Sequence, residues 1–536
     1  LLVSSSDPRF SRPVWPRLAG AEKRCQSIPD TLDLPRGGPG RDTPLLTNRR
    51  RPERGSGERE LKTRSTLIQA ILLSLALGLV PGLAAAQKSG EVVTRKYPNG
   101  GVYEGTFKDG KQDGTGTYRL PNGYEYTGQW YQGEIRGQGV AKFPDGSVYE
   151  GSFVAGKPDG KGKITFADGG TYEGEWKDGQ ITGKGIARYA NGVVYEGAFK
   201  NALHDGYGVM TSPNGYRYEG TWVKGVKDGK ARITYPDGAI YQGDIRNGVR
   251  EGQGSLTMPD GLKYKGSWKN GQINGLGVLT QANGDVYEGL LVNGQRQGKG
   301  TVRYANGDVY EGAFVNDKRE GKGRFTGKDG YVYEGEWKQG RIEGKGKVTY
   351  PDGSVYVGSF RNDLADGFGK ITYKDGSSYE GEWKKGVIDG KGIARYANGL
   401  VYEGEFRNAR MDGQGTMTDG KGYKYVGGWK NGLRDGYGES TYADGTIYKG
   451  EFRNGKRHGK GTIVMPDGFR YEGQWKNGEI DGEGKAIYAN GDVYQGFFRK
   501  GKREGPGKMI YATGEVRQGN WQGGLLIRKD SAKSGN

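Results

Sequence analysis

Apolar and polar residues alternate in short runs along most of this chain, and the runs return every 23 residues. From Val193 to Phe199 the period of two puts Tyr195, Gly197 and Phe199 on one strand face and Glu196, Ala198 and Lys200 on the other. A turn-rich stretch then runs to Gly206-x-Gly208, a second short strand follows, and Pro213-Asn214-Gly215 closes it. Two runs joined by Gly- and Asn/Asp-rich turns predict a β-hairpin. The next Tyr-Glu-Gly begins at once, so the hairpins form a continuous antiparallel meander. The unit Tyr recurs without a register shift from Tyr103 through Tyr126 and Tyr149 to Tyr494, giving 18 units. Units of this length bury their faces against their neighbours. The expected fold is all-β, an elongated single-layer solenoid of about 18 antiparallel β-hairpins.

Counting the Tyr as position one, position five carries Phe or Trp in turn, as in Phe107, Trp130, Phe153 and Trp176, with Ile245 and Leu291 as exceptions. A shift of 207 residues, nine units, lays GKGIARYANGVVYEGAF from Gly183 onto GKGIARYANGLVYEGEF from Gly390. Residues 103–309 and 310–516 therefore read as two copies of a nine-hairpin block. Residues 87–102 make a half repeat before them, and 517–536 a degenerate capping repeat and tail. The Gly between two aromatic positions leaves a shelf for a neighbouring ring. Gly206 and Gly208 supply unusual backbone angles or close approach where the hairpin bends. Volume is also conserved across the second turn. Where position eighteen lacks a ring, position twenty-two is usually bulky, as in Leu120 with Tyr124 and Asp419 with Tyr423; Gln281 with Asp285 breaks the rule.

Composition alone, with 33% hydrophobic residues and 104 Gly, would suggest disorder. The repeat reverses that reading. Four Gly positions per unit are filled throughout except at Ala231, so most of the glycines are periodic punctuation. The formal charge of +18 is spread over alternating Glu and Lys, as in YEGEWKDGQITGKG from Tyr172, which is no basic stripe and argues against nucleic acid. Residues 61–86 have the layout of a secretory signal peptide: Lys62 and Arg64, an apolar run from Leu67 to Val80, Pro81-Gly82, then Ala84 and Ala86. Cleavage is expected before Gln87, and an uncleaved anchor is the alternative. The apolar run is short of the ~20 residues that span a bilayer. Residues 1–60 are expected to be an over-extended reading frame or a disordered extension. They hold the single Cys, Cys25, so the exported chain would carry no disulfide or thiol chemistry.

Little else in the chain points to catalysis. His204 and His458 lie in different units, are not reproduced by the duplication, and are expected as solvated turn residues. No Cys/His metal set is present. Gly-x-Gly recurs without a following helix or a Gly-Lys-Ser/Thr ending, so it is no phosphate loop. The Asp-Gly turns at Asp145 and Asp168 lack the dense Asp pattern of a calcium roll and read as turn chemistry. No enzyme, cofactor or metal is expected.

The pattern YEG-x-(W/F)-x-x-G-x-x-x-G-x-G…(D/N)-G over residues 103–516 resembles the MORN repeat family. That resemblance implies a twisted single-layer sheet with an aromatic-lined groove, used for protein association, self-dimerisation or membrane-proximal scaffolding. Its groove residues would map onto the Tyr series and the position-five rings. The candidate binding face is accordingly Tyr126, Trp130, Tyr172, Trp176, Tyr218, Trp222, Tyr264, Trp268, Tyr333, Trp337, Tyr379, Trp383, Tyr425, Trp429, Tyr471 and Trp475. The expected function is a non-enzymatic exported repeat scaffold, periplasmic or envelope-associated in a bacterium, binding a protein partner or itself as a homodimer through that face. The alternatives are a glycan or peptidoglycan surface, since open Trp and Tyr rows stack on sugars, and peripheral binding of acidic phospholipid headgroups.

Overall fold

The computed structural model describes residues 90–527. The expectations for residues 1–60 and for the leader at 61–86 lie outside this range. All regular structure within it is β, in 39 strands numbered in chain order from β1 (Val92–Lys96) to β39 (Leu525–Leu526). The described residues divide between Ala305 and Asn306 into two units. The first holds β1 to β19 (Gln295–Arg303), and the second holds β20 (Val309–Val315) to β39. Within each unit consecutive strands pair antiparallel, as the alternation and the turns predict.

One hairpin of the first unit shows why the sequence folds this way. Strands β10 (Val194–Lys200) and β11 (Leu203–Thr211) meet at a turn of only two residues, Asn201 and Ala202, with φ of 49° and 58°. Two positive-φ residues make a type I′ turn, whose twist matches that of the strands it joins. In most units the second residue is Gly, as in Asn431-Gly432, with φ of 50° and 82°. The turn-rich stretch expected up to Gly208 is therefore mostly strand. Gly206 and Gly208 lie inside β11 because so tight a turn returns the chain at once. Gly206 has the unusual angle, with φ of 102°, while Gly208 provides the close approach, paired across the ladder with Gly197.

At the Gly197–Gly208 pair a Cβ on Gly208 would collide with the Tyr195 phenol, and one on Gly197 would meet the Gly208 backbone. The shelf thus carries the ring of its own unit, not that of a neighbour. A bulge between Gly197 and Phe199 lets the strand pass beneath it. The Tyr195 hydroxyl donates to the Ala198 carbonyl at 3.0 Å, a bond repeated through the array, for example from Tyr379 to Glu382 at 3.0 Å. Most of the Tyr rings are then closed edge-on by two position-five rings, the exceptions being Tyr218, Tyr241, Tyr264 and Tyr287, beside Ile245 or Leu291. Tyr149 lies 5.1 Å from Phe153 of its own hairpin and 5.0 Å from Trp176 of the next. Such edge-to-face contacts add ~0.5–1.5 kcal/mol beyond the area they bury.

Adjacent hairpins are also tied by polar bonds. The Asp205 carboxylate accepts from the Lys224 amide at 3.0 Å, and Gly225 N–H donates to the His204 carbonyl at 2.8 Å. At the second turn the position-twenty Asp or Asn accepts from the amide two residues on, as Asp145 does from Ser147 at 2.9 Å. Volume conservation across that turn also has a cause, because a ring at position twenty-two packs on the position-eighteen ring of the next hairpin. Tyr124 lies 5.9 Å from Phe143, and Tyr423 lies 5.8 Å from Tyr442. The Asp285 exception is explained by a polar substitute, its buried carboxylate accepting from the Ala305 amide at 2.8 Å.

Candidate functional site

The sixteen Tyr and Trp residues expected to present a binding face are brought into line by the repeat, but all are buried. Each described Trp of this set except Trp222 sends its indole N–H to a Gly carbonyl of the preceding hairpin, as Trp176 does to Gly162 at 3.2 Å and Trp383 to Gly369 at 3.1 Å. Burial drives the Tyr phenols away from ionisation; Tyr264 is pushed up to about 12 by loss of solvent, against a small opposing effect of its bond to Ser267. Rings closed on both sides and bonded at their polar tips hold the hairpins together. They line no open groove.

The surface left to a partner is the opposite face. In the first unit a groove of about 1560 Å³ crosses the hairpins between Thr127 and Val209. Its floor is backbone, at the paired glycines Gly139–Gly151 and Gly162–Gly174, and its sides include Glu150, Glu173, Lys161 and Lys184. Apolar side chains stand among them, Val140, Ile186 and Val209 on the strands and Tyr207 57% exposed near one end. The groove expected to be aromatic is thus built of glycine backbone, mixed charge and a few aliphatics. The reason is the pairing at positions three and fourteen: the glycines face the rings on one side, and only hydrogens lie between backbone and solvent on the other.

Position ten is an inward position that polarity alone concealed. It is apolar in many hairpins, as in Ile181, Ile273 and Ile388, and all three are buried. Elsewhere the same place holds Arg. Arg250 lies 4.3 Å over the Trp268 ring and donates to the Gly271 carbonyl at 2.7 Å; Arg319 repeats this on Trp337 at 4.3 Å and Gly340 at 2.9 Å. The aliphatic stem replaces the Ile and the guanidinium caps the next indole, a cation–π contact worth ~0.5–2 kcal/mol. His204 occupies this position too. It is fully buried on a strand, stacked 3.6 Å from Tyr195, and shares a 2.9 Å hydrogen bond with the Tyr189 hydroxyl, which corrects the expectation of a solvated turn residue. His458, one position further on, is half-buried, also on a strand. The missed signal was the 207-residue shift, which lays Lys227 on Arg434, Arg250 on Arg457 and Arg296 on Arg503.

Among the described residues no group of three His, Cys, Asp or Glu side chains converges as metal ligands do. The MORN repeat family model matches eighteen consecutive segments, the first at residues 103–123 and the last at 494–516. The chain belongs to the MORN repeat family. Among curated proteins, this MORN array is similar to Alsin of Rattus norvegicus, 48% identical over 50 residues, and to Alsin of Homo sapiens, 44% identical over 50 residues; both stretches cover 8% of this chain. The match spans 3% of the length of either relative. Among solved structures, a SAS-4 (dCPAP) TCP domain of Drosophila melanogaster in complex with a proline-rich motif of Ana2 is 15% identical, covering 40% of this chain and 98% of that one, with a TM-score of 0.20. A streptogramin B lyase is 13% identical, covering 55% and 91%, with a TM-score of 0.10.

Proposed function

We propose that this MORN array is a non-enzymatic, exported scaffold that docks a protein, either a partner or a second copy of itself, on its groove-bearing face. The observation that carries this reading is the division of labour between the faces. The aromatic rows are consumed by packing, while the other face offers a groove of exposed backbone, Glu/Lys pairs and scattered aliphatics. Non-obligate protein interfaces are about as polar as the rest of a protein surface, and an arrangement of both charge signs such as this one selects a complementary partner. Stacking on sugars would need open ring faces, which the buried Trp rows do not offer. Export is supported by the leader pattern at residues 61–86 alone.

The test is sedimentation velocity of the exported protein, alone and with whatever protein co-purifies from its native envelope, followed by binding measurements with that protein. The triple change Glu150→Lys, Glu173→Lys, Glu196→Lys should weaken association about tenfold or more by reversing one side of the groove. Reversal of Lys200 and Lys269, exposed side chains outside the groove, should leave it unchanged. Equal binding by both variants would remove the groove from the function.

A further inference from the structure

The 207-residue shift exposes a further difference between the two blocks, on their outer faces. Position two is Val only at Val357 and Val426; in every other hairpin it is Glu, Gln, Lys or Thr. Position thirteen, between the two glycines of the second strand, is mostly Lys or Gln, and in the second unit it is aromatic only at Phe368 and Tyr437. The two departures fall in the same two hairpins. Their counterparts in the first block are all charged, Glu150 and Lys161, Glu219 and Lys230, so each hairpin exchanges a Glu/Lys pair for a Val/aromatic pair.

Packing within the sheet does not account for the exchange. Phe368 is 58% exposed and Tyr437 68%, and Val357 and Val426 are exposed as well. Val357 pairs with Lys370 and Val426 with Glu439, two residues beyond each ring, so Val and ring are diagonal neighbours on one face. Single apolar residues scattered over a surface need no explanation. The same pair set twice in place of charge does. In the first unit Tyr207 and Leu276 hold position thirteen without the Val, with Glu196 and Lys265 at position two.

The two rings lie on β25 (Leu364–Thr372) and β31 (Leu433–Thr441), six strands and therefore about 29 Å apart. At positions two, four, thirteen and fifteen, the face between them holds Glu380, Glu382, Glu403 and Glu405 against Lys370 and Lys391. Of these carboxylates only Glu380 is in an ion pair among the described residues, with Lys370 at 3.4 Å. Glu382 stands directly opposite Phe368, and Glu451 directly opposite Tyr437. Two apolar anchors with an acidic surplus between and beside them call for apolar side chains at matching distance and for cations between.

We propose that the outer face of the second unit, from Val357 and Phe368 to Val426 and Tyr437, docks a basic segment of a partner protein, one apolar side chain of the segment on each anchor and its Lys or Arg residues over the carboxylates. This contact is distinct from the first-unit groove, though it rests on the same reading of the chain as a protein-docking scaffold.

The probe is a labelled peptide with two Leu-Leu anchors joined by Lys-, Gly- and Ser-containing spacers of graded length, titrated against the full exported chain by fluorescence anisotropy. Binding should be saturable and strongest for the spacer that reaches about 29 Å, falling for shorter and longer ones. Glu in place of the spacer Lys should abolish it. Val357→Glu with Phe368→Lys restores one first-block pair and should weaken binding about tenfold or more by leaving a single anchor. Glu382→Gln with Glu405→Gln should weaken it and flatten its dependence on salt. Leu276→Lys, a change at an equally exposed position of the first unit, should leave it unchanged. Circular dichroism confirms that each variant is folded. Absence of saturable binding, absence of an optimal spacer, or equal weakening by Leu276→Lys overturns the site. The groove variant Glu150→Lys, Glu173→Lys, Glu196→Lys separates the two readings: peptide binding that survives it supports the second-unit site whatever the groove does, and peptide binding lost in it overturns that site.

Discussion

Residues 195–240 of the first unit and 402–447 of the second occupy the same place in the repeat, 207 residues apart, yet they solve the inward positions differently. Both keep the bond from the Tyr hydroxyl to the position-four carbonyl, Tyr218 to Thr221 and Tyr425 to Gly428, each at 2.9 Å. In the second unit Trp429 donates to the Gly415 carbonyl at 3.2 Å. In the first, Trp222 Nε1 is buried with no acceptor, and the imidazole of His204 lies edge-on to the indole with ring centroids 4.9 Å apart, where Met411 is the counterpart. Ala231 likewise stands where Gly438 does, beneath a Tyr ring that elsewhere leaves no room for a Cβ. The backbone ladder is alike in both stretches. The lesson is that the hairpin frame tolerates imperfect inward chemistry, because each defect is shared only with its nearest neighbours.

The severest way to break the comparison is Trp429→Ala, which opens a cavity worth ~3–5 kcal/mol. Hydrogen exchange should lose protection in residues 402–470 and nowhere else; unfolding of the whole array would show that its hairpins are one cooperative block. Next in size is Gly438→Ala, which imports the Ala231 feature. The new Cβ would lie 2.6 Å from Tyr425 Cε2, so a loss of ~1–3 kcal/mol is expected from the forced ring shift. The reverse change Ala231→Gly should alter stability by less than that, as measured by urea unfolding of the same region.

A finer test compares Trp222→Phe with Trp429→Phe. Both remove the same part of an indole, but only the second breaks a hydrogen bond, so Trp429→Phe should cost ~1 kcal/mol more. Equal losses would mean that Trp222 finds a partner in solution.

The smallest expected effect is on titration. Tyr235 and Tyr442 are counterparts. Burial pushes the Tyr235 phenol up against the opposing pull of Arg250, with Tyr216 and Asp237 adding to the rise. Burial also acts upward on Tyr442, but the charges of Arg457 and Arg434 and the hydrogen bond from Arg457 bring it below the usual phenol range. Tyr442 should therefore ionise first in an ultraviolet titration, the early step vanishing in Tyr442→Phe and persisting in Tyr235→Phe. The signs for stability are opposite. The Tyr442 contribution is present above the ordinary phenol value and is lost as pH falls through its depressed one; that of Tyr235 is present below the ordinary value and is lost as pH rises through its elevated one.

Much of the fold was legible because its rules are local. Two-residue alternation assigned Tyr195 and Phe199 to one face and Glu196 and Lys200 to the other, and that assignment stands in the burial of each. The turn at Asn201-Ala202 was legible in place but not in length, since its positive-φ pair is a property of two residues and Gly206 drew the boundary too far. The site was less legible. Position ten reads as polar in Arg250 and His204 and apolar in Ile181, and nothing local reveals that all three enter the same closed row.

Period, strand direction, the face of every ring and the glycines at each pairing were determined by the sequence itself, because they follow from side-chain alternation and backbone sterics within one hairpin. Which face would be closed was decided only by the tertiary structure. A Tyr such as Tyr149 is sealed by Phe153 of its own hairpin and by Trp176 of the next, a closure that depends on the register between hairpins. The same register puts the Glu/Lys and glycine surface outside and sets Arg434 and Arg457 around one phenol. Alternation names two faces, and only packing between neighbours chooses the one that meets water.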